Sequence, residues 1–274
     1  MQTNLKISFI GGGNMAQALI GGLADKLIAA DHIHVVDINA DALASLAQRF
    51  GVTTAASVDA TVASADVIVL SVKPQQMQEV AAALVPYIKQ QLVLSIAAGI
   101  CAKDLSRWLG GHTAIVRTMP NTPALVGMGI TGMVALAGVS AAQKEAADAI
   151  MQAVGQTVWL NDESLIDAVT AVSGSGPAYV FYFLEAMQEA ALELGLSAEQ
   201  GKQLALATFA GATELASRST EPLSVLRERV TSKGGTTFAA LASMEGGGVR
   251  HAIVNALHAA ARRGKELGEE FGKD

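Results

Sequence analysis

Two glycine-bearing stretches contain the residues whose types and spacing suggest chemistry. Residues 231–237 read TSKGGTT, set between the charged run RERV and the apolar run FAALASM. The run holds hydroxyls, backbone amides and one lysine, with no histidine, cysteine or carboxylate. Hydroxyls, amides and an ammonium can bind and orient a ligand, but the loop contains none of the residue types whose unperturbed pKa lies near neutrality. The second stretch, KISFIGGGNMAQALIGGL, contains GxGxxA at Gly11, Gly13 and Ala16, directly after a strand pattern and directly before a helix pattern. In that context Gly11 permits a tight turn, Gly13 lets backbone approach a pyrophosphate, and Ala16 keeps the helix close to the sheet. The turn from Ile10 through Gly11, Gly12, Gly13, Asn14 and Met15 would seat an anion on the helix N-terminus, where free N–H groups and the dipole favour it.

The next apolar run ends in HVVDIN and places Asp37 about 20 residues beyond the motif, where an acidic residue commonly binds adenosine ribose hydroxyls. A carboxylate there repels a 2′-phosphate and argues for NADH. Rotation of Asp37 away, with Asn39 and nearby backbone accepting the phosphate, would equally admit NADPH. The expected cofactor is therefore NADPH and/or NADH. Later runs end in SVKPQQ and SIAAG, at the edge where open α/β sheets bind ligands. Ser71, Val72, Lys73 and Pro74, with Ala97, Ala98 and Gly99, are expected to line the cofactor path, although Lys73 reads equally as an ordinary exposed lysine.

The remaining titratable residues suggest less. Cys101 is the sole cysteine, so no internal disulfide forms, and its apolar neighbours suggest a small buried hydrophobe rather than a nucleophile. His251 and His258 lie seven residues apart on one helix face, too far for a zinc pair on adjacent turns, and His32 and His34 flank a strand start. No cluster has metal-ligand spacing, and no metal is expected.

These residues must be positioned by two differently patterned halves. From Lys6 to about Leu160, the short apolar runs KISFI, HVVD, DVIVLSV, QLVLSI and AIVRT alternate with helical stretches AQALIGGLADKL, ADALASLAQRF and QMQEVAAALVPYI. Continuous apolar runs are strands buried on both faces of a parallel sheet, and the alternation is that of βαβ units in a doubly wound fold. Beyond Leu160 the patterns are helical throughout, with Pro177 fitting a first turn and Ser197 with Gln200 forming a capping box. The expected fold is thus α/β: a Rossmann-like dinucleotide-binding domain over residues 1–160, then an all-α domain over residues 161–274.

Composition narrows the class further. The 274 residues are 51% hydrophobic and 16% charged. A spanning helix needs about 20 mostly apolar residues, and the best candidate, ITGMVALAGVSAA, is shorter and broken by glycine. The apolar surplus instead predicts a subunit interface: PAYVFYFLEAMQEAALELG is apolar on more faces than one stripe can bury. A homodimer or higher homo-oligomer through the carboxyl-terminal helices is expected. No membrane partner is expected and no secretory signal is read at the start. A net charge of −6 argues against nucleic acid. The basic residues Arg262, Arg263 and Lys265 lie near Glu266, Glu269 and Glu270 and read as a solvated helix face. A single cysteine makes the cytoplasm the natural setting.

Three further stretches are specific: RTMPNTPALVGMGITG at 117–132, SGSGPAYVF at 173–181 and VTSKGGTTFAAL at 230–241. With GGGNMA they make the chain resemble the pyrroline-5-carboxylate reductase family over essentially its whole length, with Pro222 and Met244-Glu245 flanking the third stretch. The resemblance implies reduction of pyrroline-5-carboxylate to proline by hydride transfer from NAD(P)H, with the all-α domain serving dimerisation and substrate binding. It implies that Met119, Pro120 and Asn121 bound the pocket beside the nicotinamide. It also implies that Ser232, Lys233, Gly234, Gly235, Thr236 and Thr237 hold the substrate carboxylate, with the Thr237 hydroxyl on the ring nitrogen as the catalytic contact. Lys233 departs from the family pattern, in which proline is also frequent there. An iminium substrate already carries its proton, which accounts for a site with no acid. Two other readings compete. A β-hydroxyacid dehydrogenase needs a lysine four residues past a glycine of its interdomain helix, and four past Gly176 stands Val180. A catalytically silent NAD(P)-sensing module leaves the TSKGGTT loop without a purpose.

Overall fold

The computed structural model describes residues 3–273. Eight strands form one sheet: β1 Ile7–Ile10, β2 Ile33–Val36, β3 Thr53–Ala55, β4 Val67–Leu70, β5 Leu92–Ser95, β6 Ile115–Met119, β7 Gly129–Ala135 and β8 Gly155–Trp159. Their order is β3-β2-β1-β4-β5-β6-β7-β8. The first six strands in that order are parallel, with Ile7 opposite both Ile33 and Val67. This is the half-sheet expected from the five apolar runs. Every residue of β1, β2, β4 and β5 is buried, because helices cover both faces.

The far edge differs from the all-parallel expectation. β7 runs antiparallel to β6, and β8 runs parallel to β7. The stretch read as the best hydrophobic-span candidate is β7 and the turn after it. β3, β7 and β8 each have a weak strand pattern in sequence. β3 is three residues long, β7 contains two glycines, and β8 alternates exposed and half-buried positions as an edge strand does.

The helices follow local signals. They are α1 Asn14–Leu23, α2 Ala40–Phe50, α3 Ala60–Ala63, α4 Met77–Leu84, α5 Ala102–Trp108, α6 Ala141–Gln152, α7 Ile166–Val169, α8 Gly176–Glu193, α9 Ala198–Ser217, α10 Leu223–Arg229, α11 Thr236–Gly246 and α12 Val249–Phe271. Asn39 caps α2 by accepting from the Asp41 and Ala42 N–H groups. Ser197 and Gln200 form the expected capping box on α9, and Ser140 with Gln143 forms another on α6. Between α7 and α8 the backbone widens into a π-turn over Thr170–Gly174.

The chain divides into two compact units: one comprises Met1–Ser175 with Ala260–Asp274, the other Gly176–Ala259. The change from strands to helices falls elsewhere, just after Trp159. The first unit contains two apolar clusters, one on each face of the sheet. The second unit is different in kind. In the single chain its Phe181, Tyr182, Leu194 and Leu223 are 60%, 74%, 83% and 72% exposed. Ala205 is the only buried hydrophobic residue of that unit among the described residues. Among the described residues no helix is long and apolar enough to cross a membrane.

Candidate functional site

The glycine turn is built as its sequence requires. Gly11 has φ +105°, and a Cβ there would lie 2.6 Å from the Ser71 carbonyl oxygen, so no other residue fits. The Ser71 hydroxyl donates to the Ile10 and Gly11 carbonyls at 3.0 and 2.7 Å, fastening the end of β4 to the turn. Gly13 is exposed, and a Cβ on it would meet nothing within 4 Å. Asn14 and half-buried Met15 open α1, which has no side-chain cap and no acidic residue in its first turn. An open cradle above uncapped N–H groups fits a dinucleotide pyrophosphate.

Asp37 immediately follows β2, and its carboxylate is already engaged. Oδ2 accepts from the Gly12 N–H at 2.6 Å and Oδ1 from the Asn39 N–H at 2.8 Å. Lys73 is exposed at the head of the turn Pro74–Gln76, next to half-buried Val72. In the loop after β5, Ala98 is exposed, whereas Ala97 and Gly99 are buried. A Cβ on Gly99 would press on Phe271 and Leu267 at 3.1 and 3.2 Å, so this glycine makes room for the end of α12.

At the end of β6 stand half-buried Met119 and buried Pro120 and Asn121. The Asn121 amide donates to the Ser173 carbonyl at 3.2 Å and accepts from the Ile130 N–H at 2.9 Å. Its side chain thereby joins the MPN segment to β7 and to the π-turn. Gly174, in the same turn, faces the Met119 methyl, where a Cβ would come within 2.5 Å. Asn121→Ala removes the partner of the partly buried Ile130 N–H and Ser173 carbonyl and should cost about 1–3 kcal/mol. Urea unfolding reads this directly, and an unchanged midpoint would contradict the role.

Ser173 and Arg117 lie in the stretches SGSGPAYVF and RTMPNTPALVGMGITG, whose local patterns point to no role for either residue. Arg117, on β6, is 4% exposed, and its guanidinium donates to Glu163 Oε1 at 2.7 Å. The same oxygen accepts from the Ala102 N–H at 2.7 Å. The buried cation inside an apolar strand run is the signal that could have drawn attention to it. Arg117 Nη1 lies 3.9 Å from Cys101 Sγ. Cys101 is half-buried rather than fully buried, and burial raises its thiol pKa against the opposing pull of Arg117. That leaves it a poor nucleophile. Burial likewise raises the Asp167 carboxyl and lowers His34, whose Nδ1 lies 2.9 Å from the Thr53 hydroxyl. On α12, Arg263 pairs with Glu266 and Glu270 at 3.0 and 2.7 Å, an exposed ion-pair face.

The TSKGGTT run belongs to the second unit. Gly234 turns the backbone at φ +72°, and Gly235 is the N-cap of α11 with its N–H on the Ser232 carbonyl at 3.0 Å. A Cβ on Gly235 would collide with Ser232 Oγ at 2.5 Å. Ser232, Lys233 and Thr236 are exposed, and Thr237 is half-buried. α11 has no side-chain cap and no acid in its first turn. This helix start, with hydroxyl-bearing residues on either side of Gly234 and Gly235 and no side-chain cap, is of the kind that suits a carboxylate.

Residues 163–267 match the family described as Pyrroline-5-carboxylate reductase dimerisation, and residues 6–99 match NADP oxidoreductase coenzyme F420-dependent. The chain is 48% identical over 269 residues to the pyrroline-5-carboxylate reductase of Pseudomonas aeruginosa, covering 98% of each chain. Its fold is similar to that of a pyrroline-5-carboxylate reductase from Coxiella burnetii, with TM-score 0.91 at 40% identity over 97% of this chain and 99% of that one. It is also similar to a Plasmodium falciparum pyrroline carboxylate reductase solved with NADP bound, with TM-score 0.88 at 30% identity over 98% and 100%. With a glycine turn fit for a dinucleotide, an uncapped hydroxyl-rich helix start and likeness along nearly its full length, the chain belongs to the pyrroline-5-carboxylate reductase family.

Proposed function

We propose that the chain reduces 1-pyrroline-5-carboxylate to L-proline with NAD(P)H, the last step of proline biosynthesis. The observation that carries this reading is the start of α11: an uncapped helix N-terminus preceded by Gly234 and Gly235, bearing Ser232, Thr236 and Thr237 and no carboxylate in its first turn. A substrate carboxylate matches those N–H groups and hydroxyls.

When bound, the reduced nicotinamide supplies a hydride to C5 of the cyclic imine. The residues of the chain bind and orient. Ile10 to Met15, Asp37, Asn39, Ser71 to Pro74 and Ala97 to Gly99 serve the nucleotide, and Met119, Pro120 and Asn121 bound the nicotinamide side. Ser232 to Thr236 hold the carboxylate. The Thr237 hydroxyl accepts from the iminium N–H and holds the ring in one orientation. Since the iminium already carries its proton, the nitrogen's bonding electrons simply return to it as C5 is reduced, and no acid is required of the chain. Orientation of this kind contributes several kcal/mol when the reactants sit in near-attack geometry. Val180, where a β-hydroxyacid dehydrogenase would need a lysine, offers no base for an alcohol substrate.

In this reading residues 1–160 serve the nucleotide and residues 161–274 serve substrate and dimerisation. The reaction is placed in the cytoplasm, where a free thiol such as Cys101 stays reduced. The test is oxidation of NADPH and NADH followed at the nicotinamide absorbance with pyrroline-5-carboxylate present and absent. Substrate-dependent oxidation is expected, and its absence with both nucleotides would overturn the reading.

The exposed apolar residues of the second unit lead to the expectation of a homodimer at minimum. Sedimentation at micromolar concentration should give at least twice the chain mass, and a stable monomer would contradict it.

A further inference from the structure

We infer that Asp37 makes this chain prefer NADH to NADPH, because its carboxylate is fixed in place by two backbone N–H groups. The inference rests on the reductase reading and sharpens it. A carboxylate at the end of β2 can admit a 2′-phosphate only by turning aside. Here turning aside would break the 2.6 Å bond to Gly12 and the 2.8 Å bond to Asn39 together, leaving both N–H groups without acceptors. One of those bonds holds the glycine turn itself, so the charge and the shape of the turn are tied to one side chain.

The surroundings offer little to offset the charge. Ile38 follows with an apolar side chain 86% exposed, where a cation would be needed. Asn39 has its side-chain oxygen committed to the Asp41 and Ala42 N–H groups. Asp41 adds a second carboxylate in the first turn of α2. The first cation after Asp37 in the chain is Arg49, in the last turn of α2, lying over the Phe50 ring at 4.9 Å. Lys73, at the head of the turn after β4, is the one cation among the residues proposed to serve the nucleotide. The ribose hydroxyls of NADH, by contrast, are donors, and each Asp37 oxygen keeps a lone pair for one of them.

The test is equilibrium binding of NADH and of NADPH to the full chain without substrate, read by nicotinamide fluorescence near 0.15 M ionic strength. NADH should bind at least about tenfold more tightly, as expected for removal of a close like-charge contact. Asp37→Asn keeps an acceptor oxygen and removes the charge, and should reduce that ratio by about tenfold. Asp37→Ser is the second variant and should reduce the ratio likewise. Equal or tighter binding of NADPH by the wild-type chain overturns the inference while leaving the reductase reading intact. So does an unchanged ratio in both Asp37 variants. Binding of neither nucleotide overturns the inference and the reductase reading together.

Discussion

Thr237→Ala should lower kcat/KM for pyrroline-5-carboxylate by about 10- to 100-fold and leave the Kd for the reduced nucleotide unchanged. The size follows from losing a hydrogen bond to a charged partner, worth about 1.5–3 kcal/mol. The selectivity follows from position. Thr237 lies in the first turn of α11, half-buried behind Gly235, whereas the glycine turn and Asp37 belong to the other compact unit. The substitution removes a hydroxyl from a helix start that has no side-chain cap to lose, so stability should change little. Thr237→Ser keeps the hydroxyl and should recover most of the activity. Steady-state kinetics with a nucleotide titration decide the matter: full activity in Thr237→Ala would remove the hydroxyl from the mechanism. A parallel loss of nucleotide affinity would move its role to the cofactor.

Arg117→Leu should destabilise the chain by about 2–4 kcal/mol, seen as a fall in Tm of roughly 5–12 °C. The guanidinium side chain is 5% exposed and the Glu163 side chain 27% exposed, with 2.7 Å between donor and acceptor. Removing the cation leaves a carboxylate partly buried, still holding the Ala102 N–H but without its charge partner. That asymmetry makes breaking such a pair cost more than the pair contributes. The double variant Arg117→Leu with Glu163→Leu removes both charges and should regain part of the loss. Because β6 continues from Arg117 to Met119, loosening the pair should also weaken the placement of the MPN segment. An unchanged Tm in the single variant would show that the ion pair does not hold β6 to the segment at Glu163.

The local geometry of the two glycine-bearing turns is legible in sequence because it depends on neighbouring residues. Gly11 needs a positive φ at the end of an apolar run, Gly13 leaves a turn open, and hydroxyls before an apolar helix mark an anion-binding start. Each of these depends on a few consecutive residues. The parallel half-sheet was legible for a related reason: a strand buried on both faces must be apolar at every position. β7 and β8 were not, since an edge strand with alternating polarity or internal glycine has no such signature. The antiparallel turn between β6 and β7 depends on how the MPN segment reverses the chain, and residues far apart fix that reversal.

The α/β class, the glycine turn before α1, the helical second half and the hydroxyl-rich loop before α11 each follow from periodicity or from the conformational demands of single residues. The polar partners of Asp37, Asn121 and Arg117 come instead from packing between distant segments. Asp37 bonds across 25 residues to Gly12, Asn121 across 52 to Ser173, and Arg117 across 46 to Glu163. A side chain's polar partner is set by which elements pack beside it, and no local pattern encodes that distance.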